Sequence, residues 1–381
     1  MIAKKKSNHI VFTTIHKPYV LFDLQKNLER YGHLDDTVCW VVGDFKTPEA
    51  CADICRGVSD LGMETNYLDI SKQDEWGKRF PELYHRIPYN NETRRNIGYL
   101  HALENGCERL ISIDDDNFPT DEDFIGGHLN TGRLWENGVI DEQSGFHNIC
   151  EYLEIQPDRL IFPRGFPFEI RGIKNNPSII SAPANAKVGV TAGLWFKEPD
   201  IDATTWLNGN VESTSYHGQP HHMLSQNTWS PINTQNTSIV RELIPAFLCI
   251  PMGYPVPGGK IERYGDIWGG YFLQAIMANT PYHVCFGQPI VEHRRNPHNY
   301  VDDIRHEFWG MVLTDWMISQ LREEFMPTSC SILDRVMELS IFLKEIGSNK
   351  LPDWCPSEVR NFILETAITI DIWAKVCKKL I

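Results

Sequence analysis

The chain of 381 residues is long enough for two domains or for one elaborated domain with a large core. Hydrophobic residues make up 42% and charged residues 23%, without tracts of one residue type, so the sequence indicates a globular protein and not a disordered one. The formal net charge of −14 argues against non-specific nucleic-acid binding, because that binding needs Lys and Arg to neutralise phosphates, and only a local basic groove would permit it.

The N-terminal residues and the spacing of the cysteines indicate the cellular compartment of the protein. The apolar run at 10–14, which follows Lys4, Lys5 and Lys6, is too short for a signal-peptide core or a membrane span. The ten cysteines include no CxxC pair, as expected for free thiols in a reducing cytosol. We therefore expect a soluble, cytoplasmic protein without a membrane span.

Strands and helices alternate over the first 113 residues. The hydrophobic pattern predicts strands at 9–14, 38–44, 66–70 and 110–113, separated by helices at 20–31, 48–62 and 93–105. This order predicts an α/β fold with a parallel sheet, whose C-terminal edge carries the ligand site and includes Thr13 and Asp44 as candidate nucleotide-binding residues. The sequence has no glycine-rich phosphate loop, which argues against a dinucleotide-binding or P-loop enzyme.

Three aspartates, Asp114, Asp115 and Asp116, follow the fourth predicted strand. Adjacent carboxylates repel each other, so a cation is expected there, and hard oxygen ligands suit Mg²⁺ or Mn²⁺ that is shared with the phosphates of a substrate. Side chains alternate along extended backbone, which predicts that Asp114 and Asp116 point one way and Asp115 the other. The alternative is a solvated Asx-turn that caps the next helix.

A metal at this sheet edge suggests a nucleoside diphosphate sugar as the ligand, because the ion would bridge the two phosphates. Arg94 and Arg95 lie at the head of the helix at 93–105 and would supply positive charge to the diphosphate. The N-terminus of a helix also favours anions. The alternative for both arginines is simple solvation at the surface.

His293 lies in a polar run at 291–300 that follows an apolar strand. Its imidazole could complete the shell of the metal, and the neighbouring Arg294 and Arg295 could hold phosphate. The alternative is a hydrogen-bonded histidine with no role in the site.

Aromatic residues and glycines surround Asp266 in the stretch at 263–271. Aromatic rings stack on sugar faces, glycines permit close approach, and a carboxylate can bind hydroxyls or act as a base. The alternative is a tight turn into a helix that Asp266 caps.

The rest of the sequence divides into two parts. Periodicity is weak and Pro, Gly, Asn and aromatic residues are frequent to about residue 310, as in segments that build substrate sites. Helical patterns return at 331–346 and 358–379, with apolar faces that pack on the body or on another subunit. We therefore predict a nucleotide-sugar-binding half at 1–120, an acceptor half of the same domain at 121–310, and a C-terminal helical extension at 311–381 that could form homo-oligomers.

Five blocks of the sequence occur in the same order in one known family. These blocks are 112–116, 164–171, 193–195 with 199–203, 241–244 and 263–268. They resemble blocks of the reversibly glycosylated polypeptides, a family that includes the UDP-arabinopyranose mutases and has a GT-A-type fold. The resemblance spans about residues 90–305, and five ordered blocks are far more specific than three aspartates alone.

The resemblance implies a GT-A-like nucleotide-sugar-binding fold and a role for particular residues. The aspartates from Asp114 to Asp116 would bind the metal and the nucleotide diphosphate. Arg164 matches the arginine that becomes reversibly glycosylated, and Arg171 matches a second arginine needed for activity. His293 falls where enzymes of GT-A fold commonly place a metal-binding histidine.

Three functions follow from these patterns. The leading hypothesis is a metal-dependent glycosyltransferase that uses Mn²⁺ or Mg²⁺ and moves a sugar from a UDP-type donor to a sugar or glycan acceptor, with Asp266 as the candidate base. The second is a UDP-sugar mutase that interconverts pyranose and furanose rings through Arg164. The third is a non-enzymatic subunit that binds nucleotide sugar and regulates partners through its C-terminal helices. Four intact residues argue against it, namely Asp114, Asp116, Arg164 and Arg171.

Overall fold

A computed structural model describes residues 6–296 and 298–381 of the protein, so Lys4, Lys5 and Pro297 lie outside it. The strands are β1 (Asn8–Thr13), β2 (Thr37–Val42), β3 (Thr65–Leu68), β4 (Arg109–Ile113), β5 (Asn117–Pro119), β6 (Val139–Asp141), β7 (Leu153–Gln156), β8 (Ser178–Ile180), β9 (Lys187–Lys197), β10 (Glu212–Tyr216), β11 (His221–Met223), β12 (Asn236–Val240), β13 (Tyr254–Val256), β14 (Gly259–Ile261) and β15 (Tyr282–His293). The helices are α1 (Val20–Tyr31), α2 (Ala50–Asp60), α3 (Ile70–Gly77), α4 (Pro81–Tyr84), α5 (Arg95–Glu104), α6 (Ala203–Leu207), α7 (Gly265–Met277), α8 (Tyr300–Glu323), α9 (Ile332–Asn349) and α10 (Ser357–Leu380).

The main sheet has the strand order β11-β15-β9-β12-β4-β1-β2-β3. Strands β3, β2, β1 and β4 are parallel to one another, as the alternation of strands and helices predicts. Strand β12 pairs antiparallel with both β4 and β9, and β15 runs parallel to β9. The protein is therefore mixed α/β with a helical C-terminal region, which confirms the predicted α/β class.

Helix α1 forms where apolar residues recur at helical spacing. It buries Val20, Leu24 and Leu28 and ends before Gly32, whose φ of 76° lies in the left-handed region. A residue with a side chain would lose roughly 1–2 kcal/mol in that conformation, so glycine favours the end of the helix at this point. Both ends of α1 agree with the sequence prediction.

Helix α5 packs unusually close to the parallel strands because Gly98 faces them. A Cβ atom at Gly98 would lie 2.4 Å from Cγ1 of Val11 on β1 and 2.9 Å from Cγ2 of Val42 on β2. The close approach holds the first residue of the helix, Arg95, within hydrogen-bonding distance of Asp114 at the end of β4. The packing of one glycine thus positions a charged residue of the site.

The segment that the sequence predicts to be irregular contains long regular elements. Strands β9 and β15 have 11 and 12 residues and are mostly buried, so they lack the alternation that marks a half-exposed strand. Helix α8 has 24 residues, and its polar Asp303 and Glu307 are buried against the body. Because these inward polar residues interrupt its apolar stripe, periodicity did not reveal this helix.

Helices α9 and α10 pack on the body, which is one of the two arrangements that the sequence allows. The Trp373 side chain is fully buried, and its Nε1 donates a hydrogen bond of 2.9 Å to the carbonyl oxygen of Pro245. Arg86 forms an ion pair of 2.7 Å with Glu365. Association of copies through this region stays a prediction. Within residues 6–296 and 298–381, no helix combines the length and the apolar character that a membrane span requires.

Candidate active site

A polar cavity of about 220 Å³ lies at the C-terminal edge of the parallel strands. Its wall includes the start of α5, the loop after β4, the end of β15 and the first turn of α7. The predicted site residues on this wall are Arg95, Asp114, Asp116, Arg164, Asp266 and His293. The fold therefore brings together charged residues that are far apart in the sequence.

The three aspartates divide between two faces, as the alternation along the strand predicts. Asp114 and Asp116 line the cavity, whereas Asp115 accepts a hydrogen bond from the hydroxyl of Thr14 at the end of β1. Burial raises the pKa of Asp115 to about 6. Burial also raises the pKa of Asp114, although Arg95 opposes this shift. Of these three aspartates, Asp114 and Asp116 are thus the two that face the cavity.

His293 and Asp116 form a pair on the cavity wall. The Nδ1 atom of His293 lies 2.6 Å from the carbonyl oxygen of Glu198, which can only accept, so Nδ1 carries a hydrogen and Nε2 faces Asp116 at 3.5 Å. Burial opposes charge on both groups, but their mutual contact outweighs it, so the pKa of Asp116 is lowered and the pKa of His293 is raised. The pair provides a carboxylate oxygen and an oriented imidazole nitrogen.

The carboxylate oxygens and the imidazole nitrogen are ligand types that suit a divalent cation, but they are too few to complete its coordination. Carboxylate oxygens suit Mg²⁺ and Mn²⁺, and an imidazole nitrogen favours the transition metal of the two. One oxygen of Asp114 already accepts from Arg95, and in the described part of the chain no three His, Cys, Asp or Glu side chains converge as a metal site. The remaining ligands would have to be phosphate oxygens of a substrate, as is common for Mg²⁺.

Arg95 is a buried cation with several partners. Its Nη2 donates to Asp114 at 2.6 Å, and its Nη1 donates to the hydroxyl of Thr234 at 2.7 Å. Burial disfavours the charge, but the carboxylate of Asp114 outweighs this effect and raises the pKa of Arg95 well above its ordinary value. Arg95 therefore fixes Asp114 on the wall of the cavity and contributes positive charge there.

Arg94 does not lie on this wall, which differs from the prediction for the arginine pair. Its side chain is fully buried and donates to Gln73 at 3.0 Å, to the hydroxyl of Tyr84 at 2.9 Å and to the carbonyl oxygen of Ile87 at 3.3 Å. Its guanidinium also lies over the ring of Tyr89. Because these groups occupy its donors, we no longer assign Arg94 to the diphosphate.

Thr13 and Asp44 lie at neighbouring strand ends, outside the wall of the cavity. The hydroxyl of Thr13 donates to the carbonyl oxygen of Val42 at 3.0 Å, and Asp44 accepts from the backbone N–H of Phe45 at 2.8 Å. The Phe45 side chain is exposed beside them. A contact of these two residues with a nucleotide stays a prediction.

Arg164 is held between two carboxylates. Its Nε and Nη2 donate to Asp200 at 2.9 and 3.0 Å, and its Nη2 and Nη1 donate to Asp266 at 2.9 and 3.2 Å. Burial disfavours the charge on Arg164, but the two carboxylates outweigh it and raise the pKa of Arg164 well above its ordinary value. Burial likewise opposes charge on Asp200, yet Arg164 lowers the pKa of Asp200 to about 2. The guanidinium is thus charged and fixed in orientation.

Arg171, predicted as a second catalytic arginine, lies outside the wall of the cavity. Its Nη1 pairs with Asp202 at 2.6 Å, and its guanidinium lies 3.7 Å from the centre of the Phe168 ring. Asp202 is two residues from Asp200, so Arg164 and Arg171 both bind the same short segment. A role of Arg171 in activity stays a prediction.

Sequence reasoning did not identify Asp200 and Gln235 as part of the site. Asp200 lies within the block at 199–203, which marks the segment as shared with a family, but Arg164 is 36 residues away in sequence. Gln235 lines the cavity, is buried, and its Oε1 has no hydrogen-bond partner among the residues described. A buried amide oxygen of this kind is suited to accept a hydrogen bond from a ligand hydroxyl.

The sequence profile described as "Reversibly glycosylated polypeptide" matches residues 66–356, which is well over half of the chain. The chain belongs to this family. UDP-arabinopyranose mutase 1 of Oryza sativa subsp. japonica is 28% identical over 266 residues, which are 70% of this chain and 66% of that protein. UDP-arabinopyranose mutase 3 of Arabidopsis thaliana is 25% identical over 261 residues, 68% of this chain and 66% of that protein. The alignments therefore span slightly less than two thirds of these two relatives.

Solved structures with a similar arrangement of elements have low sequence identity to this family member. Glucosyl-3-phosphoglycerate synthase from Mycobacterium tuberculosis, in complex with Mn²⁺ and UDP-glucose, has a TM-score of 0.40 and 9% identity, with coverage of 82% of this chain and 80% of that one. S. aureus TarS 1-349, in complex with UDP-GlcNAc, has a TM-score of 0.40 and 12% identity, with coverage of 98% and 91%. Both TM-scores are too low to support an inference about the activity of this chain.

Proposed function

We propose that the protein is a UDP-sugar mutase, which interconverts the pyranose and furanose forms of the sugar on a nucleoside diphosphate. The observation that carries this proposal is the position of Arg164 on the wall of the same polar cavity as Asp114 and Asp116. Arg164 is the residue that the resemblance matches to the reversibly glycosylated arginine. Membership of the family and the names of the two mutases above support the same conclusion.

The size of the cavity supports a reaction on one sugar. Its volume is about 220 Å³. Sites for drug-sized ligands are usually larger, roughly 300–1,000 Å³. A sugar ring fits a smaller site, whereas a donor sugar and an acceptor sugar together need more room. We therefore place the mutase ahead of the glycosyltransferase, which was the leading hypothesis from the sequence.

The contacts of Arg164 suggest how it would act. A bond from its Nη2 to C1 of the sugar forms while the bond from C1 to the diphosphate oxygen breaks, and UDP leaves with that electron pair. Because the guanidinium is fully protonated at rest, Nη2 must lose a proton at this step, and the Asp266 oxygen at 2.9 Å is placed to accept it.

The second half of the reaction reverses the first. While C1 stays on Nη2, the bond from C1 to the ring oxygen breaks as the Nη2 lone pair forms a C1=N double bond, and the released oxygen takes a proton. A different sugar hydroxyl then bonds to C1 and gives up its proton, and the electron pair of the double bond returns to Nη2. UDP then attacks C1, Nη2 leaves, and the proton on Asp266 returns to it. Asp200 keeps its two contacts with the guanidinium at 2.9 and 3.0 Å in the resting state and would limit its rotation during these steps.

Asp114, Asp116 and His293 would hold Mn²⁺ or Mg²⁺ in this proposal. A bound cation would neutralise charge on the leaving diphosphate. The role of the chain itself is to present these groups in fixed positions, since Arg95 binds Asp114 at 2.6 Å and the carbonyl oxygen of Glu198 orients His293.

Proton NMR of UDP-arabinose with the protein and Mn²⁺, without any acceptor, tests this function. We expect signals of the second ring form with the wild type and none with Arg164→Lys, and we expect Asp266→Asn to slow the reaction by about 100-fold or more. Arg159→Lys is the matched control, because Arg159 donates to backbone carbonyl groups and is not among the residues that line the cavity.

An unchanged spectrum of the wild type with both UDP-arabinose and UDP-galactose would overturn the mutase proposal for these sugars. A full rate in Arg164→Lys would remove Arg164 from the mechanism. Thermal unfolding of each variant separates loss of chemistry from loss of folding.

A glycosyltransferase is the second candidate, and a specific feature favours it. A larger open cavity of about 560 Å³ also borders His293 and Arg295, and an acceptor could occupy it. This function predicts release of UDP that requires a separate acceptor and leaves the mass of the intact protein unchanged. A sugar-sized mass gain that maps to Arg164 would instead favour the mutase.

A further inference from the structure

Arg295 lies where two cavities meet. Together with His293 it lines both the inner cavity of about 220 Å³ and the outer one of about 560 Å³. Its side chain is only 8% exposed, and its Nη1 has no hydrogen-bond partner within the described ranges. An unsatisfied buried donor is unfavourable, so this N–H is expected to meet an acceptor from a ligand.

The other arginines on the inner wall are better neutralised. Arg95, Arg164 and Arg263 have ion pairs of 2.6, 2.9 and 3.0 Å. The ion pair of Arg295, with Asp303, is 4.0 Å long. Asp303 also pairs with Arg263 at 3.4 Å and with His298 at 2.9 Å, so its charge is shared. Of these four side chains, Arg295 is the one with the longest ion pair.

The position of Arg295 is fixed by contacts that leave Nη1 available. Its guanidinium lies 5.1 Å from the ring centre of Trp206 and 5.8 Å from that of Tyr300, and these two rings are stacked on each other. Its backbone N–H donates to a carboxylate oxygen of Glu198 at 2.7 Å. Because these contacts already restrict the side chain, binding an anion there costs little further ordering.

The neighbouring Arg294 has a different environment. It donates to Glu292 at 2.9 Å, its side chain is 55% exposed, and it lies over the ring of Phe118. The sequence alone treats these two adjacent arginines alike. The structure distinguishes them, because Arg294 is exposed and lines only the outer cavity, whereas Arg295 is buried and lines both cavities.

We infer that Arg295 binds a phosphate oxygen of the diphosphate in a nucleotide sugar, while Arg294 does not. The identity of the ligand rests on the proposed function. A guanidinium recognises phosphate through charge-assisted hydrogen bonds, and the position beside His293 and Asp116 is where the proposed cation would also require phosphate. The sugar then occupies the inner cavity, next to Arg164.

Calorimetric titration tests this inference with UDP, UMP and uridine as the probes, in buffer with MnCl₂. The variants are Arg295→Met, which keeps an unbranched apolar side chain beside Trp206, and Arg295→Lys, which keeps the charge; Arg294→Met is the matched control. We expect Arg295→Met to weaken UDP binding by about 10- to 100-fold and to leave uridine binding unchanged. We expect Arg295→Lys to lie between it and the wild type, and Arg294→Met to change affinity by less than about threefold.

Each other outcome has a definite meaning. Unchanged UDP affinity in Arg295→Met overturns the inference, and so does an equal loss of UDP and uridine affinity in both Arg295 variants, because the loss then does not depend on the phosphates. Weaker UDP binding by Arg294→Met than by Arg295→Met would also overturn the inference, because the phosphate contact would then belong to Arg294. If the wild type binds UDP through Arg295 but leaves the ring form of every UDP-sugar unchanged, this inference stands and the proposed function fails.

Discussion

The guanidinium of Arg164 and the carboxylate of Asp200 depend on each other. Both are buried, and Asp200 also accepts a hydrogen bond of 2.7 Å from Asn233. Removing one charge from such a pair leaves the other in a medium that solvates it poorly. Asp266 offers only partial compensation, since it already binds the adjacent Nη1–Nη2 edge of the same guanidinium.

Asp200→Asn should therefore lower the free energy of unfolding by about 3 kcal/mol at pH 7, because the amide keeps the shape but not the charge. Urea unfolding followed by circular dichroism measures this change. The effect should shrink as the pH falls from about 4 toward 2, since the folded pKa of Asp200 is about 2 and its stabilising charge is present above the ordinary carboxyl pKa.

Asp371→Asn is a suitable control, because the Asp371 side chain forms an exposed ion pair with Lys375 at 2.7 Å. It should change stability by less than about 1 kcal/mol. Equal effects of the two substitutions would contradict the claim that burial makes the Asp200 pair important.

At the scale of residues, the sequence predicts which face of a strand a side chain occupies better than it predicts which distant residues that side chain contacts. The opposite orientations of Asp114 and Asp115 follow from the alternation of a strand, which is local geometry. The different positions of Arg94 and Arg95 do not follow from local geometry, because both residues lie at the start of the same helix. Arg94 lies away from the cavity because it donates hydrogen bonds to Gln73 and Tyr84. Contacts between residues that are distant in the sequence leave no pattern in the sequence around either residue.

Helix α5 illustrates how an element serves the site. Its glycine allows contact with β1 and β2, and its first residue binds Asp114. Any displacement of the helix from the sheet would therefore move the Arg95 guanidinium relative to the aspartates.

Gly98→Ala should be destabilising by about 1–3 kcal/mol, since its Cβ would lie 2.4 Å from Cγ1 of Val11. The same change should weaken UDP binding, which a fluorescence or calorimetric titration would detect. Gly57→Ala in α2 is the matched control: no atom lies within 4 Å of its Cβ position, and alanine favours a helix by about 0.5–1 kcal/mol. A destabilised Gly57→Ala or a neutral Gly98→Ala would contradict this account.

Among elements, the predictable ones are those with one apolar face. Helices α1, α9 and α10 show a clear helical pattern and were predicted close to their observed limits. Strands β9 and β15 are apolar on both sides, so they lack the two-residue alternation of a half-exposed strand. Helix α8 has buried carboxylates, so it lacks the continuous apolar stripe of an amphipathic helix. Their places in the fold depend on contacts with distant segments.

The whole molecule shares one large core, which includes Ile10 on β1, Ile239 on β12 and Trp373 on α10. The three segments predicted from the sequence therefore contribute to one packed interior, which spacing within a segment could not reveal. Buried histidines lie within this compact body. His128 is fully buried, with its ring nitrogens 3.0 and 3.1 Å from Ser238 and Asn236.

The stability of the protein should fall in mild acid. Burial lowers the pKa of His128 to about 3, whereas the unfolded chain takes up this proton near pH 6.5. Its contribution is complete above pH 6.5 and is lost as the pH falls toward 3, at about 1 kcal/mol per pH unit. Chemical denaturation at several pH values between 7 and 5 measures this slope.

His128→Gln provides the comparison, because glutamine can still form hydrogen bonds but does not titrate. Its free energy of unfolding should be lower at pH 7 and should depend less on pH over the same interval. If the free energy of unfolding depends on pH equally in the wild type and the variant, His128 has little part in the acid sensitivity.

The burial of Arg164 also has a consequence for how long a sugar would stay attached. The residue is 6% exposed, and Asp200 and Asp266 bind two adjacent edges of its guanidinium that share Nη2. A sugar on Nη2 would be shielded from water, so hydrolysis would be slow compared with attack by a returning diphosphate. In the proposed mechanism, the protein would then act as a store for one sugar, and a sample purified without nucleotide would keep the last sugar that it received.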